Sequence, residues 1–321
     1  MSPSSSTKKD TPRRLRRIFA VGAVATAIVA TTAAAFPAAL VDQSQPIPAL
    51  TAQALGARYS ANSSMIAQAA QAADRSGNQS LARALNAVRA QHFLDFNPRG
   101  QGLAVEVLGN LAQATRVAIL VPGSDTSLTT FDSRGTASPG GAARALAAQA
   151  RQLDPGAHLA IIAWLGYSTP STISPAVMTS GDAGQGAAAL RPLVEDLARH
   201  GRQVTLICHS YGTVVCGLAA PHLPVTDIAV IGSPGMDASS VRALHTTARV
   251  WAGRGTGDWV RDVPHVQFLG LGFGQDPMAP AFGARIFDCG TGGHSGYFQP
   301  GGIALRNLAN IALGDPARVI R

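Results

Sequence analysis

The 321-residue chain has few charged and few aromatic residues, 14% and 5% of the sequence, and it contains only three cysteines. Three cysteines exclude a small scaffold held together by many disulfides, and their odd number leaves at least one thiol unpaired within the chain. Low charge combined with 46% hydrophobic residues excludes an intrinsically disordered protein. The length is sufficient for one large domain or two ordinary ones, each with its own core.

Lysine is almost absent, since Lys8 and Lys9 are the only two in the chain. Both belong to residues 1–17, which hold six basic residues and one acid, whereas the rest of the chain holds 20 basic and 17 acidic residues. The net charge of +8 is therefore concentrated at the N-terminus. No block of like charge recurs after residue 17, so we expect no nucleic-acid partner.

An uncharged stretch, residues 18–40, follows this basic segment. Its small residues offer signal-peptide cleavage sites, whereas its 23 residues are also long enough to span a bilayer. Arg16-Arg17 resembles a twin-arginine export signal, and an ordinary positive flank is an equal alternative. We expect residues 1–42 to be a signal peptide or N-terminal membrane anchor. The body would then lie outside the cytoplasm, secreted or associated with the membrane through residues 18–40.

The body divides into two parts by its sequence pattern. Residues 43–91 are Ala-rich and polar, with apolar residues at helical spacing, and they predict a helical segment or a linker. From residue 92 onward, eight short apolar runs predict strands at 93–96, 103–108, 117–121, 159–164, 204–207, 228–231, 248–252 and 284–287. Helices are predicted at 140–152, 182–199, 211–220, 237–244 and 302–313. This alternation predicts one α/β domain over 92–321, with a mostly parallel eight-stranded sheet and helices on both faces.

The run Cys208-His209-Ser210-Tyr211-Gly212 comes directly after a predicted strand and directly before a predicted helix. It is the G-x-S-x-G nucleophile motif with cysteine in place of the first glycine. The tight turn of this motif projects the serine from the sheet edge, where ligands bind in doubly wound folds. Ser210 is therefore the predicted nucleophile, and an ordinary turn in which Ser210 caps the helix is the structural alternative.

A serine hydroxyl needs a base to remove its proton, and the base needs an acid to orient it. In this fold the chain order is serine, acid, histidine. The histidines after the serine are His222, His245, His265 and His294. His294 is the predicted base, because it lies in a Gly-rich loop between the last predicted strand and the last predicted helix.

The loop after the predicted strand 248–252 supplies two candidates for the acid. Asp258 is favoured because it lies near the strand end among glycines, from where it can reach the imidazole. Asp262 follows Arg261 and is more simply explained as part of a surface ion pair. Asp237, after the preceding strand, is a distant third.

Acyl transfer places negative charge on the carbonyl oxygen, which two backbone N–H groups usually stabilise. One N–H is expected from Tyr211, the residue after the nucleophile. The other is expected from the loop after strand 117–121. Pro122 has no N–H there, so we predict Ser124 as the second oxyanion-hole residue and keep Gly123 as the alternative.

Neither a metal nor a cofactor is expected. The three cysteines and His294 lack metal-ligand spacing, and no helix signal follows the glycines at 270–274 that a dinucleotide fingerprint would require. Two of the three cysteines can form a disulfide outside the cytoplasm, and their spacing leaves the pairing open.

Six separated motifs follow one another along the body: VAILVPG (117–123), IIAWLGYSTP (161–170), CHSYG (208–212), GSPGMD (232–237), QDP at Asp276 and GHSGYF (293–298). Together they resemble the actinobacterial α/β-hydrolases once catalogued as a domain of unknown function. The likeness covers about residues 92–314, and the chain departs from the family's GHSYG pattern at Cys208. The resemblance implies a serine hydrolase fold and no particular substrate.

We therefore expect an exported or membrane-tethered serine hydrolase that acts through Ser210, Asp258 and His294. Its substrate would be a small molecule or a lipid with a carboxylic ester or related acyl bond. An acyltransferase on the same triad is the alternative within the enzymes. A non-catalytic hydrolase fold that binds or scaffolds in the cell envelope is the alternative from another class.

Overall fold

A computed structural model describes residues 46–133, 135–263 and 271–321. Its strands are β1 (His92–Asn97), β2 (Leu103–Leu108), β3 (Arg116–Val121), β4 (Leu159–Leu165), β5 (Gln203–His209), β6 (Asp227–Ile231), β7 (Arg249–Gly253) and β8 (Arg285–Ile286). They form one sheet in the order β1-β2-β4-β3-β5-β6-β7-β8. β2 runs antiparallel to β1 and β4, and all other neighbours are parallel. The predicted mostly parallel sheet is confirmed.

Helices cover both faces of the sheet, as predicted. The described α-helices are α1 (Ala52–Arg75), α2 (Gln79–Val88), α3 (Pro139–Leu153), α4 (Gly181–Arg199), α5 (Gly212–Ala219) and α6 (Ile303–Ala312). Alternate residues of β3 point to opposite faces: Val117 and Ile119 pack with α4 and α5, whereas Ala118 and Leu120 pack with α3 and α6. Burial on both faces explains why the strands read as continuous apolar runs.

One predicted helix is wrong. The segment 237–244 contains only a short 3-10 turn, Arg242–Leu244. Asp237 has φ +54° and its N–H donates to the carbonyl of Phe273, while Ala238 accepts from the N–H of Gln275. These backbone groups bond to a neighbouring segment, so they do not enter the i to i−4 bonds of a helix.

The Ala-rich segment before the sheet forms the two helices α1 and α2. Ile66 of α1 and Leu85 of α2 are buried in one core cluster with Phe93 of β1. The Asn62 amide also donates to the carbonyl of Phe93 at 2.7 Å. The helix pair is thus packed against the edge of the sheet through apolar contacts and a buried hydrogen bond.

The predicted leader, residues 1–42, lies outside the described residues. Within the part of the chain that the structure describes, no helix combines the length and the apolar character needed to cross a bilayer.

Candidate active site

The turn from β5 into α5 has the backbone of a nucleophile elbow. Ser210 has φ +54°, a left-handed conformation that residues other than glycine seldom adopt. A Cβ at Gly212 would lie 2.5 Å from the carbonyl oxygens of Val121 and Pro122, so only glycine allows β3 to approach this closely. The sharp turn leaves the Ser210 side chain at the carboxyl edge of the sheet.

A disulfide spans this elbow. Cys208 of β5, which replaces the first glycine of the motif, is bonded to Cys216 of α5, with the two Cα atoms 6.5 Å apart. Both side chains are fully buried. This is the pairing that the spacing left open. The third cysteine, Cys289, is free and buried, and burial raises the pKa of its thiol.

The structure brings Ser210, His294 and Asp258 together in one chain of hydrogen bonds. His294 Nε2 lies 2.9 Å from Ser210 Oγ. His294 Nδ1 lies 2.9 Å and 3.0 Å from the two carboxylate oxygens of Asp258. The carboxylate fixes the imidazole with its proton on Nδ1, which leaves Nε2 to accept the hydrogen bond of the serine hydroxyl.

Asp258 is fully buried, yet its environment favours the carboxylate form. Burial acts to raise the pKa of Asp258, but hydrogen bonds from His294, Tyr297 and the N–H of Val260 outweigh it and hold the pKa below its usual value. The acid is thus ionised and held from three directions, which keeps the imidazole in one orientation.

The other candidate residues lie elsewhere. His222 and His245 lie before β6 and β7, and the N–H of His222 donates to the carbonyl of His245, so both are at the amino edge of the sheet. His265 lies outside the described residues. Asp262 is 76% exposed and pairs with Arg261 at 3.6 Å. Asp237 belongs to the irregular segment after β6, where its N–H donates to the carbonyl of Phe273.

The loop after β3 runs directly against the nucleophile. A Cβ at Gly123 would lie 2.6 Å from Ser210 Cβ and 3.1 Å from Ser210 Oγ, which places the backbone of residues 123 and 124 beside the reacting oxygen. Farther along the loop, the N–H groups of Asp125 and Thr126 are already bonded, to Pro170 and Thr169. The loop is thus adjacent to Ser210, and the oxyanion-hole role of Ser124, or of Gly123, stays a prediction.

Tyr211 can contribute only through its backbone. Its side chain is buried on the opposite side of the elbow, where the hydroxyl donates to the carbonyl of Thr179 at 2.6 Å and accepts from the N–H of Ala183 at 3.2 Å. Its main chain follows Ser210 directly at the start of α5. This is the arrangement that places an N–H beside the nucleophile.

Two residues for which the sequence predicted no catalytic role hold Asp258 and His294 in place. The Tyr297 hydroxyl donates to Asp258 Oδ2 and accepts from the N–H of Gly255 at 3.3 Å. The His209 ring donates through Nε2 to the carbonyl of His294 at 2.8 Å. Burial, together with the neighbouring His294, lowers the pKa of His209 to about 4, so this ring is neutral. Tyr297 lies inside the GHSGYF motif, and that motif was the sequence signal from which its role could have been predicted.

A pocket of about 250 Å³ opens beside Ser210 and His294. The loop after β3, the start of α3 and the loop that carries His294 form its walls. Trp259 lines it as well, 53% exposed and with its ring 4.8 Å from that of His294. Trp259 is the third residue that sequence reasoning left without a role. The site therefore joins a hydrogen-bonded serine to a cavity that can hold a small organic group.

Curated relatives of this chain are two proteins of Mycobacterium tuberculosis, the uncharacterized protein MT2140 of strain CDC 1551 / Oshkosh and the uncharacterized protein Rv2079 of strain ATCC 25618 / H37Rv. Each is 31% identical over 251 residues, which covers 67% of this chain. The matched region spans only 37% of the length of these relatives.

Solved structures with similar coordinates include the esterase PE8, with a TM-score of 0.43 and 14% identity over 65% of this chain and 97% of that one. The dienelactone hydrolase of Anabaena variabilis ATCC 29413 has a TM-score of 0.42 and 18% identity, over 68% of this chain and 93% of that one. Among family models, one described as "Alpha/beta hydrolase" matches residues 97–268, more than half of the chain and most of the sheet. The chain belongs to the alpha/beta hydrolase family.

Proposed function

We propose that the chain is an exported or membrane-tethered serine hydrolase that cleaves carboxylic ester or related acyl bonds. The observation that carries this proposal is the continuous hydrogen-bonded path from Ser210 Oγ through His294 to the buried carboxylate of Asp258, each link 2.9 Å long, beside a pocket. Nucleophile, base and orienting acid are the three groups that acyl transfer needs.

The proposed reaction has two halves. Ser210 Oγ forms a bond to the acyl carbon while His294 Nε2 takes the hydroxyl proton, and the tetrahedral intermediate then expels the alcohol, which receives that proton. A water molecule attacks the acyl-enzyme in the same way and returns Ser210 to its hydroxyl form. Asp258 stays ionised throughout and stabilises the imidazolium that forms in each half.

The oxyanion of this intermediate would lie between the N–H of Tyr211 and the backbone of Ser124 or Gly123. The close contact of Gly123 with Ser210 supports this placement. Two fixed N–H donors need no reorganisation when charge develops, and one such donor is typically worth about 100-fold to 1,000-fold in rate.

A fluorophosphonate probe tests the proposal, because it reacts covalently with activated serines. The wild-type protein is expected to be labelled at Ser210, and Ser210→Ala is expected to abolish both labelling and ester hydrolysis. Ser295→Ala is the matched control, since Ser295 is an exposed serine in the wall of the same pocket. An unlabelled wild type would favour the non-catalytic binding protein, and product that appears only with an added alcohol acceptor would favour the acyltransferase.

The proposed location outside the cytoplasm has support from two separate features. The basic segment and the uncharged residues 18–40 have the order of an export leader. The buried disulfide Cys208–Cys216 is a bond that persists in oxidising compartments and is rare in the cytosol.

Fractionation of cells that express the full chain with a C-terminal tag tests this location. We expect the tag outside the cytoplasm and, in denaturant, Cys208 and Cys216 protected from thiol alkylation until a reductant is added. Sequencing the mature N-terminus distinguishes a cleaved leader from a retained anchor. Cytoplasmic protein with alkylatable Cys208 and Cys216 would overturn the proposal.

A further inference from the structure

The deep end of the pocket is apolar. Leu120 of β3 and Ile207 of β5 are direct partners across the two parallel strands. Leu120 lies one residue before the end of its strand and Ile207 lies two residues before the end of its strand. Ala142, near the start of α3, and Phe298, after the His294 loop, line the same space. All four belong to one buried cluster, and none is more than 7% exposed. A hydrocarbon group that enters past Ser210 and reaches this part of the pocket would therefore contact four buried apolar side chains.

The volume of the pocket limits the size of that group. At about 250 Å³ it is smaller than the roughly 300–1,000 Å³ that is usual for pockets enclosing drug-sized ligands. Three of the four apolar residues, Leu120, Ile207 and Ala142, belong to the strands β3 and β5 and to the helix α3, whose backbones are fixed by their hydrogen bonds, and Phe298 is buried against them. A long acyl chain would need these elements to move.

Trp259 lines the same pocket but differs from these four residues in exposure. Trp259 follows Asp258 directly, and the bond from the Val260 N–H to the Asp258 carboxylate fixes the turn that carries it. Its half-exposed ring lies 4.8 Å from the His294 ring. His294 must hand its proton to the departing oxygen, so the leaving group has to pass within hydrogen-bond distance of that ring and beside the indole.

We propose that the site is divided into two subsites and that its substrates are esters of short, uncharged acyl groups. This proposal rests on the proposed serine hydrolase activity. The floor formed by Leu120, Ala142, Ile207 and Phe298 takes the acyl group. Trp259 packs against the leaving alcohol, so it determines the alcohol preference and has no part in the proton transfers.

A series of 4-nitrophenyl esters from acetate to decanoate tests the acyl floor with the unaltered protein. We expect kcat/KM to be highest between acetate and butyrate and to fall at least tenfold by octanoate. A profile that is flat, or that rises toward octanoate, would overturn the assignment of the floor. Fluorophosphonate labelling of the same sample separates the two failures: without labelling at Ser210 the hydrolase proposal itself fails.

Two variants test the division into subsites. Ala142→Leu should shorten the accepted chain and lower the butyrate-to-acetate ratio of kcat/KM at least tenfold, because a misplaced methylene in an apolar pocket costs about 10-fold to 200-fold. Trp259→Ala should leave that ratio unchanged. With the acyl group held as acetate, it should instead lower the preference for phenyl over ethyl esters by about threefold to tenfold.

Met65→Ala is the control for Trp259→Ala, since Met65 is an exposed apolar side chain of α1 that does not line the pocket. If Ala142→Leu does not fold, Ala142→Val makes the smaller change of the same kind, with the same direction expected. The proposal of two separate subsites would be wrong if each variant changed both the butyrate-to-acetate ratio and the phenyl-to-ethyl ratio. It would also be wrong if neither variant changed either ratio.

Discussion

Two of the buried carboxylates of this protein are Asp227, at the amino ends of the parallel strands, and Asp258, at their carboxyl ends. Each accepts hydrogen bonds from three donor groups. Asp227 begins β6 and accepts from Arg249 Nε and Nη2 at 2.7 Å each and from Trp251 Nε1 at 2.8 Å. Asp258 follows β7 and accepts from His294, Tyr297 and the N–H of Val260. Each is 1% exposed or less. The two sites differ in the chemistry of the partner.

A guanidinium keeps its charge at any ordinary pH and forms a fixed fork on a carboxylate. The pair Asp227–Arg249 therefore joins β6 to β7 and has no proton to exchange. An imidazole changes protonation near neutral pH and has a second nitrogen, which in His294 faces Ser210. The same anchoring of a carboxylate thus joins two strands at the amino ends of the sheet and, in the proposed reaction, prepares a proton transfer at the carboxyl ends.

The largest expected effect is that of Asp258→Asn on activity. An amide in this position cannot hold the Nδ1 proton of His294 as a carboxylate does, so we expect kcat to fall about 10,000-fold. Steady-state hydrolysis of a short-chain 4-nitrophenyl ester measures it, with circular dichroism to verify folding. If Asp258→Asn kept more than a tenth of the wild-type rate, the contrast between the two carboxylates would disappear.

Asp227→Asn should give the reverse pattern. It removes the charge that Arg249 binds, and we expect the free energy of unfolding to fall by about 2–3 kcal/mol, less than a fully buried pair would lose, since the Arg249 side chain is 35% exposed. The activity per folded molecule should change less than threefold. Urea unfolding measures the first quantity and active-site titration the second. Asp262→Asn, in an exposed pair, is the control and should leave stability unchanged.

Tyr297→Phe tests how much one hydrogen-bond donor of the Asp258 carboxylate contributes to the rate of hydrolysis. The ring stays and only the hydroxyl that donates to Asp258 is lost, so kcat should fall about tenfold to 100-fold, the value of a hydrogen bond to a charged group. The KM for a short ester should change little, which distinguishes positioning of Asp258 from substrate binding. Tyr59→Phe is the matched control, because the buried Tyr59 hydroxyl has no hydrogen-bond partner among the described residues. Equal losses in both variants would assign Tyr297 a packing role only.

The smallest expected effect is a pH dependence of stability that arises from His209. Burial lowers the pKa of His209 to about 4 in the folded protein, whereas the unfolded chain titrates near its ordinary value of 6.5. Above the unfolded pKa both states are neutral and stability is unaffected. Between that pH and the folded pKa only the unfolded chain binds the proton, so stability falls as the pH is lowered.

Thermal unfolding of wild type and His209→Gln between pH 7.5 and 4.5 measures this dependence. The wild-type melting temperature should fall more steeply than that of the variant, which has no titrating ring and can still donate to the His294 carbonyl. Parallel curves would show that His209 is not held neutral. Asp258 does not contribute in this range: its pKa is held low, so its contribution is present above its unfolded value and is lost only as the pH falls through the folded one.

Sequence reasoning located the elements well where the pattern was strong. All eight strands were predicted within two residues of their bounds, because burial on both faces turns them into apolar runs. It failed at 237–244, where a helix-compatible sequence bonds its backbone to residues 273–275. The local sequence pattern contains no information about such a neighbour, since the bonded residues are 36 and 37 positions apart in the chain.

The candidate site was predictable to the same degree. Ser210, Asp258 and His294 were chosen because each follows a strand, and the strand order of the sheet brings those ends together. Tyr297, His209 and Trp259 were given no catalytic role, because their contacts with Asp258 and His294 join residues that are 35 to 85 positions apart in the chain. The disulfide partner of Cys208 was open for a different reason: Cys216 is only eight residues away, but the pairing depends on how α5 packs against β5.

By itself, the sequence determined the alternation of strands and helices and the tight turn at Ser210, since both follow from local periodicity and from the sterics of Gly212. It also determined the order of nucleophile, acid and base along the chain. Only the tertiary structure decided which histidine contacts Ser210, which aspartate contacts that histidine, which cysteines join, and how large a group the pocket admits. Those are distances between atoms on separate strands, helices and loops, and they exist only once these elements have packed together.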